Sequence, residues 1–482
     1  MSYKKFTKDI GLMGLTQVIT VLSGIVTLPI ITKLLGAGNY GIWVQLLVTL
    51  GLISSIAVIN LPNAIVRFLP GEKDKKEIQD GIWSVFVLML GIIIIISLLL
   101  ICFSGIISKF LGCQQIFILI LSQIIIFDCL NSLLASVFRA FQEIIKYCSF
   151  IIFQKIGEAS LIILSVLLGY GLLGAVISML IVRILFFLIM GGIVVRKVGI
   201  KIPKFIKIKE YLSFCLPLAP VDISYWVVQS SDKYFIGFFL GTLFVGYYAP
   251  AYTLGCYITF SIAPLGFLLP AILAKHHDEN EIEKVKTYLS YSLKYFLMIA
   301  IPAVFGISVL AKPLLTTFST AEIAQHSYFV IPFVALSMML SGIYTIVTQN
   351  LLIKKKTKIG GAIWIAAAVL NFGLNFIFIP RFGILGAAIT TLLAFSFVTV
   401  AGWYYSFKEL SFKVDWGIIL KSILSAVIMS IFVIWLNPVG IYRELIAVIL
   451  GGLVYGVLII LLKGFSMQEI QFFKNLLKND QS

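Results

Sequence analysis

Apolar positions in this chain come in long unbroken stretches, with neither strand alternation nor a helical stripe. Residues 10–31, 81–103, 212–239 and 445–462 are apolar on nearly every face. A helix of about 20 such residues matches a hydrocarbon layer about 30 Å thick, whereas a helix on a soluble core keeps a polar face. The pattern predicts about fourteen spans, roughly 10–32, 40–60, 81–103, 115–138, 148–169, 172–194, 211–236, 244–272, 288–310, 324–352, 359–379, 383–406, 418–436 and 442–463. Turn signals separate them at Gly36-Ala37-Gly38-Asn39, Pro70-Gly71, Pro380-Arg381 and Asn437-Pro438. The expected fold is an all-α integral membrane protein.

Two sequence echoes imply a repeat. Tyr170-Gly171-Leu172-Leu173-Gly174-Ala175 recurs as Phe382-Gly383-Ile384-Leu385-Gly386-Ala387. Leu35-Gly36 with Gly41-Ile42-Trp43 recurs as Leu240-Gly241 with Gly246-Tyr247-Tyr248. Six spans per repeat is an even number, so both halves share one orientation and form parallel bundles. The expected organisation is a six-helix bundle over 1–195, a basic linker over 196–210, a second six-helix bundle over 211–406, and helices 13 and 14 over 407–465. A tail at 466–482 carries Ile470, Phe473, Leu476 and Leu477 on one face, the pattern of a helix lying in the membrane interface.

Composition narrows the function. Charged residues make up 12% of the 482 residues, and mean hydropathy is +1.07, against roughly 25% charged in a soluble domain. The longest polar loops run only about 15 residues, too short for a catalytic domain. The net charge of +16 would suggest nucleic acid in a soluble protein. Here about 28 of the 37 Lys and Arg fall in loops on one side. That bias predicts cytoplasmic N- and C-termini in a cell membrane, with the basic loops touching anionic lipids and no nucleic-acid partner. The first apolar run is too long for a signal peptide. The six cysteines form no C-x-x-C pair and imply no disulfide framework or metal site. His276-His277-Asp278 reads as solvated loop.

Charges inside the spans carry the chemical argument. Asp128, Lys155, Glu158, Arg183, Asp222, Asp232, Lys233 and Lys294 lie in or near apolar stretches. Each costs roughly 2.5–3.5 kcal/mol if it faces lipid at mid-depth. Two arrangements avoid that cost: pairing, for which Lys155 and Glu158 have i,i+3 spacing, or a watery passage. Asp222, Trp226, Gln229 and Lys233 share one face of span 7, and Trp364, Asn371 and Asn375 share one of span 11. Cations suit a phosphate or pyrophosphate, and aromatic faces suit sugar rings. The expected substrate cavity comprises Lys33, Arg67, Lys155, Arg183, Asp222, Trp226, Gln229, Asp232, Lys233, Lys294 and Asn371. Glu158 and Asp128 are the candidates for ion coupling, to Na+ or H+. No catalytic residue, metal or other cofactor is expected.

Leu28-Pro29-Ile30-Ile31-Thr32-Lys33-Leu34-Leu35-Gly36 followed by Tyr40-Gly41-Ile42-Trp43 resembles the opening signature of the polysaccharide-biosynthesis oligosaccharide flippases. These belong to the superfamily of multidrug, oligosaccharidyl-lipid and polysaccharide exporters. Leu216-Pro217-Leu218, Ser231-Asp232-Lys233, Lys294-Tyr295-Phe296 and Ala311-Lys312-Pro313-Leu314 are similar to later stretches of that family. The resemblance implies a secondary flippase that carries a polyprenyl-pyrophosphate-linked oligosaccharide from the inner to the outer leaflet by alternating access. It implies a cationic cavity reaching Lys33, Arg67, Asp232, Lys233 and Lys294, and coupling to an ion gradient or membrane potential. Expected partners are the lipid-linked oligosaccharide, membrane lipids, and glycosyltransferases or a polymerase; the chain is expected to be a monomer.

The alternatives are a multidrug or cation antiporter of the same fold and a flippase for the peptidoglycan precursor. A glycosyltransferase needs a large polar loop with paired carboxylates. An ATP-driven pump needs a P-loop, and the chain has no Gly-Lys pair.

Overall fold

The computed structural model describes residues 3–72 and 74–464, so the expected interfacial tail at 466–482 lies outside the described residues. The described chain is helical, and no strand occurs in it. Eleven helices are long and apolar enough to cross a membrane. The chain is a multi-pass membrane protein. Two of the eleven are over-long: α1 (Tyr3–Val58) and α17 (Thr357–Glu409) run 56 and 53 residues. At 1.5 Å per residue each is about 80 Å long, more than twice the hydrocarbon thickness. Each is broken at a glycine, Gly36 (φ 72°, ψ 167°) and Gly383 (φ 61°, ψ −142°). The breaks fall at the turn signals between spans 1 and 2 and between spans 11 and 12. The stretch expected as span 8 is two shorter helices, α10 (Thr242–Cys256) and α11 (Ala263–Asp278), with a 3-10 segment at Tyr257–Ser261 between them.

The chain divides into two compact units. Among the described residues the first comprises 3–249, 318–320 and 364–387, and the second comprises 250–317, 321–363 and 388–464. This partition is not the one drawn by the sequence repeat, because Ala219–Leu240 joins the first unit.

In the first unit α1 is followed by α2 (Leu61–Phe68), α3 (Lys75–Cys102), α4 (Ser104–Phe110), α5 (Gln115–Ala140), α6 (Ile144–Leu167) and α7 (Gly171–Val198). The linker leads to α8 (Ile208–Cys215) and α9 (Ala219–Leu240). Helix α5 is the hub, packing on α1, α2, α3 and α7, while α6 packs on α1 and α7. Its inward face is Ile118, Leu121, Ile125, Cys129 and Val137, all buried.

The part of α1 after Gly36 runs antiparallel along α9. Tyr234 Oη donates to Thr49 Oγ1 at 2.7 Å, and Asn60 bonds Asp222. Two glycines set how closely the same part of α1 approaches the start of α10. A Cβ on Gly41 would stand 1.9 Å from Thr242 O, and one on Gly246 would stand 1.8 Å from Ala37 O. Only glycine allows backbone to approach backbone so closely. Ala37 and Gly41 are the repeat counterparts of Thr242 and Gly246, so the contact is reciprocal: each copy's carbonyl meets the other copy's glycine. The echoed turns also share backbone geometry. Gly241 (φ 94°, ψ 168°) matches Gly36, and Gly171 has positive φ like Gly383.

The second unit holds α12 (Ile282–Val309), most of α13 (Ala311–Phe318), α14 (Ala321–Ser327), α15 (Val330–Val347), α16 (Gln349–Ile353), α18 (Trp416–Leu436) and α19 (Ile441–Leu461). Helix α12 packs on α15, α18 and α19. Tyr455 Oη caps the contact by donating to Met298 O at 2.8 Å.

Candidate functional site

Four of the intramembrane charges meet in one network in the first unit. Arg183 on α7 is bonded through Nη1 to Asp128 on α5, and its Nε lies 3.2 Å from Glu158 Oε1 on α6. Lys155 Nζ reaches Glu158 Oε2 at 3.0 Å. Ser54 Oγ donates to Asp128 Oδ2 at 2.7 Å, and Asn131 Nδ2 donates to Arg183 O at 3.0 Å. The pairing left open by the sequence is therefore what these four residues adopt. Burying an unpaired guanidinium in this medium is costly. Two carboxylates on flanking helices meet that cost.

The network also borders a cavity of about 390 Å³. Asn60, Asn63, Asn131, Arg139, Gln154, Lys155, Arg183 and Asp128 supply its polar lining. The side chains of Arg183 and Glu158 are 6% and 9% exposed, whereas those of Asp128 and Lys155 are 31% and 39% exposed. The pairs thus present a solvated edge and a buried edge. Asn131 Oδ1 is buried without a hydrogen-bond partner, while Arg183 Nε faces Glu158. A cavity wall with three cations and four amides is suited to an anionic, hydroxyl-rich group.

The remaining expected residues fall elsewhere. Asp232 and Lys233 are buried, with Lys233 Nζ 3.0 Å from Asp232 Oδ1 and 3.2 Å from Gln229 O. Tyr248 Oη donates to Asp232 Oδ2 at 2.5 Å. Beside them, Asn375 Nδ2 donates to Asn371 Oδ1 at 3.0 Å, and Ser231 Oγ donates to the same oxygen at 3.3 Å. Gln229 Nε2 donates to Tyr225 Oη at 2.7 Å, and Tyr225 packs edge-on against Trp364. Trp226 sits against Tyr234 and over Gly51. Asp222 binds Asn60, which itself lines the cavity. Lys33 is exposed, and Arg67 is exposed with its guanidinium 4.6 Å from the Phe214 ring. In the second unit Lys294 is half-buried, about 6 Å from the rings of Tyr291 and Tyr295.

Sequence reasoning missed Ser54, Asn131, Arg139, Tyr147 and Gln154. Gln154 shares a helical face with Glu158 and Arg139 lies at the inner end of a span, so both carried a signal. Ser54 and Asn131 look like ordinary small polar residues until α1 and α5 are placed together.

The second unit has a cavity of the opposite kind. Leu293, Leu297, Ile301, Phe305, Met339 and Trp403 are among the lining residues of a wholly apolar groove of about 360 Å³. Outside the spans, His276 Nδ1 lies 2.6 Å from Glu281 Oε2, and with Glu279 these form a cluster whose donor atoms lie within 4.8 Å of one another. The six cysteines are all free, and burial pushes the Cys113 thiol up to about 11.

Long apolar helices broken at glycines, together with ionic groups gathered around a polar cavity, define a multi-pass membrane transporter. The family model described as polysaccharide biosynthesis protein matches residues 6–276, and the chain belongs to that family. Over 455 residues it is 24% identical to the probable low-salt glycan biosynthesis flippase Agl15 of Haloferax volcanii, covering 92% of this chain and 93% of the relative. It is 29% identical over 222 residues to the probable lipid II flippase MurJ of Vibrio cholerae, covering 43% and 40% of the two chains. Among solved structures, the lipid II flippase MurJ in an inward closed conformation superposes with a TM-score of 0.78 at 18% identity, over 93% of this chain and 98% of the other. An inward-facing multidrug transporter of the MATE family gives 0.67 at 15% identity, over 82% and 94%. The fold is shared with both. Both sequence relatives are named as probable flippases, transporters rather than enzymes.

Proposed function

We propose that this chain is a secondary flippase that moves a polyprenyl-(pyro)phosphate-linked oligosaccharide from the inner to the outer leaflet by alternating access, for assembly of a surface glycan. The observation that carries the reading is the polar cavity of about 390 Å³ with Arg139, Lys155 and Arg183 on its wall. A pyrophosphate oxygen is a stronger acceptor for a guanidinium than water is, and it competes with Asp128 and Glu158 for Arg183. The amides Asn60, Asn63, Asn131 and Gln154 offer both donors and acceptors to sugar hydroxyls. The glycan flippase name of the full-length relative points the same way.

In this reading both termini are cytoplasmic and the protein works in the cell membrane as a monomer, beside the glycosyltransferases or polymerase that make and use its cargo. Asp128 and Glu158, which hold Arg183, are the ion-coupling residues in this reading, with H+ or Na+ as the coupling ion. Lys33, Arg67, Lys233, Lys294 and Asn371 belong to the path outside the cavity. The test is export in a deletion strain complemented with Lys155→Gln or Arg139→Gln. Loss of surface glycan with normal membrane abundance supports the reading, and full export by both variants removes the cavity from the path.

A further inference from the structure

The linker between α7 and α8 is held in place, and its exposed face is of an unusual kind. Along it run Arg196, Lys197, Lys201, Lys204, Lys207 and Lys209 with no acidic residue until Glu210. A series of side chains on α3 ties it down. Gln79 Nε2 donates to Val198 O at 2.6 Å, and Trp83 Nε1 donates to Gly199 O at 2.9 Å. Buried Asp80 accepts from the backbone N–H of Lys204 and, at 3.2 Å, of Ile206; Ser84 Oγ accepts from Phe205 N at 3.2 Å. Lys207 is paired with Glu72 and Glu77, which raise its pKa. Pro203 keeps the strap extended, while Gly199 and Phe205 turn it with positive φ.

The depth of this strap follows from the helices around it. On α3 the last charge is Asp80, and residues 81–103 carry none. On α7 the apolar run ends at Val195, before Arg196, and on α8 it begins at Tyr211, after Glu210. All three changes from charged to apolar fall beside the strap. The anchor points Trp83 and Ser84 lie at the first turn of the apolar run of α3. The strap therefore lies at the boundary between headgroups and acyl chains. At that level Ile200, Ile202 and Ile206 are 77%, 88% and 67% exposed. Three open isoleucines between lysines suit a surface that is apolar below and anionic above.

We propose that residues 199–206 form an interfacial strap that seats Ile200, Ile202 and Ile206 in the upper acyl layer and gathers anionic phospholipid headgroups on Lys201, Lys204 and Lys209. The strap joins the sixth and seventh spans, so its seating holds that junction at a fixed depth. This inference is independent of the cargo.

The test uses the full chain in nanodiscs of phosphatidylcholine, with or without about 30% phosphatidylglycerol. Cys102, Cys113 and Cys256 are replaced by serine, and a bimane label is placed at Ile202→Cys, at Ile200→Cys, or at the exposed Glu279→Cys as an aqueous reference. The expected result is quenching of both strap labels by lipids brominated near the top of the acyl chain, and protection from aqueous iodide relative to the Glu279 position. Lys204→Gln with Lys209→Gln abolishes the phosphatidylglycerol enrichment around the protein, since each lysine near a surface carries about fivefold in the lipid's association constant and the pair about 25-fold. Strap labels as open to iodide as the reference in both lipid mixtures overturn the proposal, and that is also the outcome if a soluble partner is what covers the strap. Lipid quenching with unchanged enrichment in the double variant overturns the headgroup assignment.

Discussion

Gly41→Ala and Gly246→Ala test the packing on which the first unit depends. The added methyl at Gly41 meets Thr242 O at 1.9 Å and Gly246 N at 2.9 Å, and the one at Gly246 meets Ala37 O at 1.8 Å and Ala37 C at 2.6 Å. A methyl carbon and a carbonyl oxygen rest at about 3.3–3.6 Å, so the backbones must part by roughly 1.5 Å. The obstacle is main chain, which cannot rotate aside as a side chain does. Overpacking of a tight contact costs about 1–3 kcal/mol, and a backbone obstacle puts each variant at about 3 kcal/mol. The helix propensity of alanine over glycine returns up to about 1 kcal/mol, leaving a loss of about 2 kcal/mol. The two substitutions act on one contact, so the double variant loses less than the sum. The assay is thermal unfolding of detergent-solubilised protein followed by tryptophan emission, with Gly24→Ala and Gly373→Ala as references, because nothing lies within 4 Å of a Cβ at either. The expected order is Gly41→Ala and Gly246→Ala several degrees below wild type, with the references at or above it. Unchanged melting of both contact variants would refute the packing argument. If the outer ends of the two repeats separate during transport, the same variants also raise maleimide labelling at Ala37→Cys.

Arg183→Ala leaves buried Glu158 with Lys155 as its remaining ion-pair partner and costs about 3 kcal/mol, the low end for breaking a buried pair, whereas Arg183→Met with Asp128→Asn and Glu158→Gln recovers most of that stability without recovering export; thermal shift and surface-glycan staining separate the two effects. Lys294→Ala abolishes export while the protein still inserts, and normal export in a complemented strain removes Lys294 from the path. Asp80→Ala deprives two part-buried backbone N–H groups of the strap of their acceptor, costs about 1 kcal/mol and speeds tryptic cleavage at Lys201 and Lys204, visible on a gel. Burial pushes the Glu143 carboxyl up, but Lys197 and Lys146 outweigh it and hold its pKa below the usual range. Its folded pKa is depressed, so its contribution is complete above the ordinary carboxylate value and is lost as pH falls through the folded one. Amide protection in the turn at 141–147, taken relative to the intrinsic exchange rate at each pH, therefore falls on acidification, and Glu143→Gln removes that dependence.

Much of the fold was legible because a lipid solvent leaves little freedom: stretches such as 81–103 admit one reading. The count of separate helices was less so. The turn signals mark the breaks at Gly36 and Gly383, but helix resumes directly beyond each glycine, so neighbouring spans run on as one broken helix without a loop. The site was legible where partners share a helix. Lys155 with Glu158, and Asp232 with Lys233, are neighbours in sequence and in space. The bond from Arg183 to Asp128 depends on α7 lying against α5, which no spacing reveals. For the charges the sequence left pairing and a watery passage both open. Pairing satisfies Arg183 and Glu158 on their buried edge, while the cavity wets Asp128 and Lys155 on the other, so both arrangements hold at once.

The central claim is that the cationic cavity handles an anionic glycolipid. Its direct test is purified protein in proteoliposomes loaded with a fluorescent polyprenyl-pyrophosphate oligosaccharide, with dithionite added outside to bleach accessible label. The account predicts that bleaching runs past the outer-leaflet half with wild type, and stops at half with the Lys155→Gln, Arg139→Gln double variant. Bleaching that stops at half with both proteins, or passes it equally with both, would contradict it.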